Sequence, residues 1–208
     1  MKVKNLKIEE KTEEKPVLGY INLANNITLL GLLLALACCF FALKGDLRAS
    51  MTLLILAGIC DLFDGVAARK SKRTDEEKAF GIQLDTLVDV INFGVAPAIV
   101  IFSIAGSIWY ALVIYALYIL CAVVRLAYFN TVATPDTAVS HYSGLPVTYI
   151  ALILPLVLLF GSAPAGVIAL GVTGLLFILN IKVPKPHGVW YVLFPLMAVA
   201  LIVLWWRL

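Results

Sequence analysis

Charge is what this chain has least of. Of its 208 residues only 14% are Asp, Glu, Lys or Arg and two are histidine, against 62% hydrophobic residues and a mean hydropathy of +0.99. A soluble domain uses roughly 45–50% apolar and about 25% charged residues, so the composition excludes an ordinary water-soluble globule. No basic run interleaved with aromatics is present, which excludes a nucleic-acid partner. Cysteine is sparse as well. Cys38, Cys39, Cys60 and Cys121 fall in apolar runs without metal-ligand spacing, the pattern of packed thiols. The first twenty residues, MKVKNLKIEEKTEEKPVLGY, lack the apolar centre of a secretory signal. Residues 1–22 are therefore expected to form a cytoplasmic charged tail or interfacial helix, with 23–208 as one transmembrane domain.

What fills the chain instead is long apolar runs. A membrane-spanning helix needs about 20 mostly apolar residues, and such runs lie at about 23–43, 50–69, 82–104, 108–130, 146–161, 164–181 and 188–206. The expected fold class is all-α, a polytopic transmembrane helical bundle. Threading these spans from a cytoplasmic N-terminus puts Lys2, Lys4, Lys7, Lys11, Lys15, Arg69, Lys70, Lys72, Arg73, Lys78, Arg125, Lys182 and Lys185 on one side. Only Lys44, Arg48 and Arg207 remain on the other. Basic residues concentrate on the cytoplasmic side of membrane proteins, so the net charge of +3 reads as a topology signature.

Within the apolar runs stand four aspartates. An ionised side chain in hydrocarbon costs several kcal/mol unless it is paired, metal-bound or facing water. Asp61 and Asp64 are three apart on the second span, and Asp85 and Asp89 are four apart on the third, so each pair shares a helix face. The polar link Lys70 to Phe80 makes these helices antiparallel and brings both pairs to one depth near the cytoplasmic end. Four carboxylates so close repel one another and need compensating cations. Pairing with Arg69, Lys70 or Arg125 is one reading. An oxygen-only ligand set for a hard divalent ion, Mg2+, Mn2+ or Ca2+, is the other, with room for two ions. Gly65, Ala67 and Ala68 leave an open helix face beside Asp64, Gly81 does the same opposite, and Arg69 and Lys70 ring the mouth. This combination describes a phosphate-ester or pyrophosphate site at a membrane surface.

The same residues resemble a known family. Asp61-Leu-Phe-Asp64-Gly65-Val-Ala-Ala68-Arg69, eleven residues, then Gly81-Ile-Gln-Leu-Asp85-Thr-Leu-Val-Asp89 is similar to the D-x2-D-G-x2-A-R, spacer, G-x3-D-x3-D signature of the CDP-alcohol phosphotransferases. The resemblance implies a membrane-embedded catalytic domain with a six-helix core, here with about one extra C-terminal helix. It also implies transfer of a phosphate-bearing group from a CDP-linked donor to an alcohol, with release of CMP. By the family pattern Asp61, Asp64, Asp85 and Asp89 hold the metal, and Asp89 is the general base. Asp61, Gly65, Ala68, Arg69 and Gly81 would line the nucleotide site. Asn26-Ile-Thr28, similar to part of the family's P-N-x-x-T, would add Asn26 and Thr28. Dimers are common in the family, which makes a homodimer part of what the resemblance implies.

Asp89-Val-Ile-Asn92-Phe93-Gly94-Val95-Ala96-Pro97-Ala98 is similar to the D-x-x-S-F-G-V-A-P-A of the serine-using branch. Three other segments point the same way: Arg125-Leu-Ala-Tyr128-Phe-Asn130, Ser143-Gly144-Leu145-Pro146, and Leu179-Asn180-Ile-Lys182-Val-Pro184-Lys185. The expected reaction is CDP-diacylglycerol plus L-serine giving phosphatidylserine and CMP, among membrane lipids and on the cytoplasmic side. Asn92 and Arg125 are the candidate acceptor contacts. A guanidinium at the end of the fourth span can grip an amino-acid carboxylate by a bidentate fork or reach outward to lipid phosphate. Glycerol 3-phosphate, an inositol phosphate or another small alcohol are alternative acceptors, although no compact basic cluster awaits a phosphorylated one. From a different class, four intramembrane acids could line a divalent-cation path. A transporter would carry polar residues through both halves of the membrane, and here the outer halves are apolar.

Overall fold

The computed structural model describes residues 16–106, 108–132, 141–184 and 188–208. Residues 1–15 of the expected tail, residues 133–140 and Lys185 lie outside them. Seven helices make up the described chain: α1 (Leu23–Leu43), α2 (Leu47–Lys70), α3 (Asp75–Ala105), α4 (Trp109–Val132), α5 (Val147–Phe160), α6 (Ala163–Ile178) and α7 (Trp190–Arg207). All but α5 and α6 are long and apolar enough to cross a membrane, and those two are shorter apolar helices. The protein is an integral, multi-pass membrane bundle, as its hydropathy requires. Two three-residue strands, β1 (His141–Ser143) and β2 (Lys182–Pro184), pair antiparallel where the chain enters α5 and leaves α6.

Helix starts follow local chemistry. Asn22 caps α1 by accepting from the Asn25 N–H at 3.1 Å, and Asp46 caps α2 by accepting from Ala49 N–H at 3.0 Å. The polar link expected over 70–80 is shorter than hydropathy suggests, because α3 begins already at Asp75. Thr74 and Glu77 form a reciprocal capping box, with Glu77 N–H to Thr74 Oγ1 at 3.2 Å and Thr74 N–H to Glu77 Oε2 at 2.9 Å. Asp75, Glu76 and Glu77 also complement the positive end of the helix dipole.

Inside α3 the residues Val90–Val95 widen into one π-helical turn immediately after Asp89. The Tyr118 hydroxyl of α4 donates to the Phe93 carbonyl in that turn. Such a turn shifts the helix's phase, so the half carrying Asp85 and Asp89 is uncoupled from the apolar half below. Phe93, Val100 and Ile101 there join Tyr118, Ile150, Leu154, Leu170 and Phe177 in the main core.

Close packing is set where side chains are smallest. A Cβ placed on Gly58 of α2 would lie 2.7 Å from the Ala151 Cβ of α5, a separation only glycine allows. That contact lies one turn from Asp61, and it holds α5 against the acidic part of α2.

Candidate active site

The four aspartates converge as their spacing predicts. One carboxylate oxygen from each of Asp61, Asp64 and Asp85 lies within 4.8 Å of the others, and the side chain of Asp89 is hydrogen-bonded to that of Asp61. Asp64 and Asp89 are buried, at 6% and 8% exposure. Thr28 Oγ1 of α1 donates to Asp64 Oδ2 at 2.5 Å, and Thr148 Oγ1, in the first turn of α5, donates to Asp61 Oδ2 at 2.9 Å.

The donor set fits a hard divalent cation. Two oxygens bound to one ion at about 2.1–2.5 Å stand no more than about 4–5 Å apart, which matches the span of the three carboxylates. No histidine or thiol belongs to the group.

A cavity of about 230 Å³ opens beside the cluster. Its polar wall carries Asp61, Asp85, Asp89, Arg125 and Thr148, and its apolar wall comes from α2, α4, α5 and α7. Arg125 is 6% exposed and stacks its guanidinium 5.5 Å from the Phe129 ring. It lines the same cavity as Asp61, Asp85 and Asp89. Asn92, the other expected acceptor contact, is not in this cavity's lining. It is 2% exposed and turned toward α1 and α2, with its Nδ2 3.3 Å from the point where a Gly31 Cβ would stand.

The small-residue slot expected from Gly65, Ala68 and Gly81 has arginines at it: Arg69 Nη1 lies 3.5 Å from the Gly65 Cβ position. The Arg69 Nη2 donates to the Tyr191 hydroxyl of α7 at 3.1 Å, and its guanidinium lies 5.7 Å from the Tyr191 ring centre. Arg73, not singled out by the sequence, reaches into the slot. Its Nη2 donates to the Ala68 carbonyl at 3.0 Å, and its Nη1 is 3.1 Å from a Cβ position on Gly81.

One residue of the expected nucleotide set falls elsewhere. Asn26 is exposed on the outside of α1, whereas Asn25, one turn before Thr28, is 3% exposed and places its Oδ1 3.3 Å from the Gly81 Cβ position. A helical repeat of about 3.6 residues puts Asn25, and not Asn26, on the Thr28 face. The cap that Asn22 provides sets this phase.

A sequence profile of the CDP-alcohol phosphatidyltransferase family matches residues 21–206. The chain belongs to the CDP-alcohol phosphatidyltransferase family. It is 33% identical over 181 residues to an archaetidylserine synthase of Methanothermobacter thermautotrophicus, covering 84% of this chain and 75% of that one. The CDP-diacylglycerol–serine O-phosphatidyltransferase of Bacillus subtilis is 31% identical, over 66% of this chain and 75% of its own length. The protein of that name in Mycobacterium tuberculosis H37Rv is 35% identical, but the matched part spans only 44% of it. The phosphatidyltransferase family is in general dependent on divalent metal, in accord with the oxygen-only cluster. As a family member the protein carries out CDP-alcohol phosphatidyl transfer.

Proposed function

We propose that this phosphatidyltransferase moves the phosphatidyl group of CDP-diacylglycerol to the hydroxyl of L-serine and releases CMP. The observation that carries the proposal is the joining of two features in one place. Three convergent carboxylates suit a pyrophosphate-bound cation, and beside them a single cavity holds both Asp89 and the buried Arg125. The relatives' names divide on the lipid, archaetidyl in one and diacylglycerol in others, but agree on serine.

In this scheme Asp61, Asp64, Asp85 and Asp89 hold Mg2+ or Mn2+. The bound ion supplies charge neutralisation on the pyrophosphate and on the departing CMP. Asn25 and Thr28 on α1, Gly65, Ala68 and Arg69 on α2, and Gly81 on α3 surround the nucleotide. Arg125 grips the serine carboxylate by its planar fork. That grip directs the serine hydroxyl at Asp89, which takes its proton as the oxygen attacks phosphorus. Asn92 lies beneath, outside the acceptor cavity. The cluster faces the cytoplasm, because Arg69, Lys70, Lys72, Arg73, Lys78 and Lys182 cap that end of the bundle while Lys44, Arg48 and Arg207 cap the other.

The test is CMP release from CDP-diacylglycerol by purified protein with Mn2+ or Mg2+. The acceptors are serine, glycerol 3-phosphate, inositol phosphate and water, with a chelator control. Serine is expected to give the fastest release, with phosphatidylserine as product and no release in chelator. Faster release with another alcohol would overturn the choice of serine. Release indifferent to chelator would overturn the metal assignment.

A further inference from the structure

We propose that Thr148 is a positioning residue that holds Asp61 in its metal-facing orientation, an inference that rests on the metal reading above. Thr148 and Asp61 are 87 residues apart, yet the hydroxyl donates to Asp61 Oδ2 at 2.9 Å. The bond is the counterpart of Thr28 to Asp64 across the cluster. Each α2 aspartate thus receives one neutral donor from a neighbouring element. A neutral hydroxyl fixes a carboxylate's rotamer while leaving its charge and remaining lone pairs for a cation, whereas a lysine or arginine would compete for them.

Asp61 needs such a hold because it has a second place to go. Its side chain is already in hydrogen-bond contact with Asp89. Without Thr148 it is free to turn fully onto that neighbour, removing one ligand from the cluster and occupying the base.

The segment bearing Thr148 is built to deliver it. Gly144, at φ +80°, bends the chain against α6, its N–H donates to the Ile181 carbonyl at 2.8 Å, and the Leu145 N–H donates to the Leu176 carbonyl at 2.9 Å. Ser143 Oγ donates to Asn180 Oδ1 at 2.8 Å, and β1 pairs with β2 just outside. Val147 and Ile150, on either side of Thr148, are buried at 4% and 0% exposure. Loop, strand pair and helix start together act as a strap from the end of α6 to the carboxylate on α2.

The test is Mn2+ binding to detergent-purified protein, read by electron paramagnetic resonance, for wild type, Thr148→Val and Thr148→Ser, with thermal midpoints measured in chelator. Thr148→Val keeps the shape and removes the donor. It is expected to raise the Mn2+ dissociation constant about 10–100-fold, the usual effect of losing an outer-sphere partner, with an unchanged midpoint in chelator. Thr148→Ser is expected to bind Mn2+ as wild type does. Wild-type affinity in Thr148→Val, weak binding in Thr148→Ser, or a midpoint in chelator that falls together with affinity would each overturn the positioning role. If wild type itself binds no Mn2+, the metal assignment fails and this inference with it. That outcome is distinct from the others, in which wild type binds and only the Thr148 role is lost.

Discussion

Gly58→Ala adds one methyl group to the face of α2 that meets α5, and the structure says what that methyl must do. Its carbon would lie 2.7 Å from the Ala151 Cβ, where methyl carbons normally rest about 3.5–4.0 Å apart. The helices must part by roughly 1 Å, because both atoms are fixed directly to backbone. Asp61 is one turn along α2 from Gly58, and Thr148 is one turn along α5 from Ala151. A parting of that size stretches their 2.9 Å hydrogen bond to almost 4 Å, beyond the reach of a useful bond. Overpacking of this kind costs about 1–3 kcal/mol in stability. Displacement of a metal-facing carboxylate is expected to lower CMP release about 10–100-fold. The assay is CMP release across a Mn2+ titration for Gly58→Ala, Ala151→Gly and the double variant. Ala151→Gly removes the opposing methyl, so the double variant is expected to recover most of the lost activity and Mn2+ affinity. A fully active Gly58→Ala protein, or a double variant no better than the single, would refute the reasoning.

Asp89→Asn removes the proposed base while keeping its shape, and is expected to slow CMP release in the presence of serine about 10²–10⁴-fold. CDP affinity, measured by displacement, should be largely retained. Arg69→Ala is expected to raise the KM for CDP-diacylglycerol about tenfold by removing a charge-assisted phosphate contact. Tyr191→Phe, which only loosens the exposed 3.1 Å hold on Arg69, is expected to raise it about threefold or less. Tyr118→Phe strips the buried Phe93 carbonyl of its side-chain donor and is expected to cost about 1–3 kcal/mol. A lowered thermal midpoint checks it.

The parts of the protein legible in its sequence are those with a local period. Seven apolar runs became seven helices, and the i, i+3 and i, i+4 spacings of the aspartates placed all four at one end of α2 and α3. What escaped the sequence depends on contacts without a period. Thr148 meets Asp61 across 87 residues through a loop, and no spacing rule connects a threonine after Gly-Leu-Pro to an acid three helices earlier. The choice between Asn25 and Asn26 hung on a single residue of helical phase, which hydropathy does not carry because the α1 run is apolar on all sides. The π turn after Asp89 was equally silent. Its residues, Val-Ile-Asn-Phe-Gly-Val, are weak helix formers, but none of them specifies a π turn, and the Tyr118 hydroxyl that engages it belongs to another helix. Arg73 sits in the polar link between the two signature halves, where composition alone reads as solvated loop.

Asp64 lies six residues before the end of α2 at Lys70, about 9 Å along the helix axis at 1.5 Å per residue, and the other acids cluster at the same level. Under the proposed topology, a lipid made there is released into one leaflet only. Every turnover under the proposed reaction exchanges a large nucleotide headgroup for a small one without moving acyl chains across the bilayer. The reaction therefore changes the headgroup population of that leaflet and leaves the opposite one untouched. Spreading the product to both faces of the membrane is then the work of a lipid-translocating activity separate from this site.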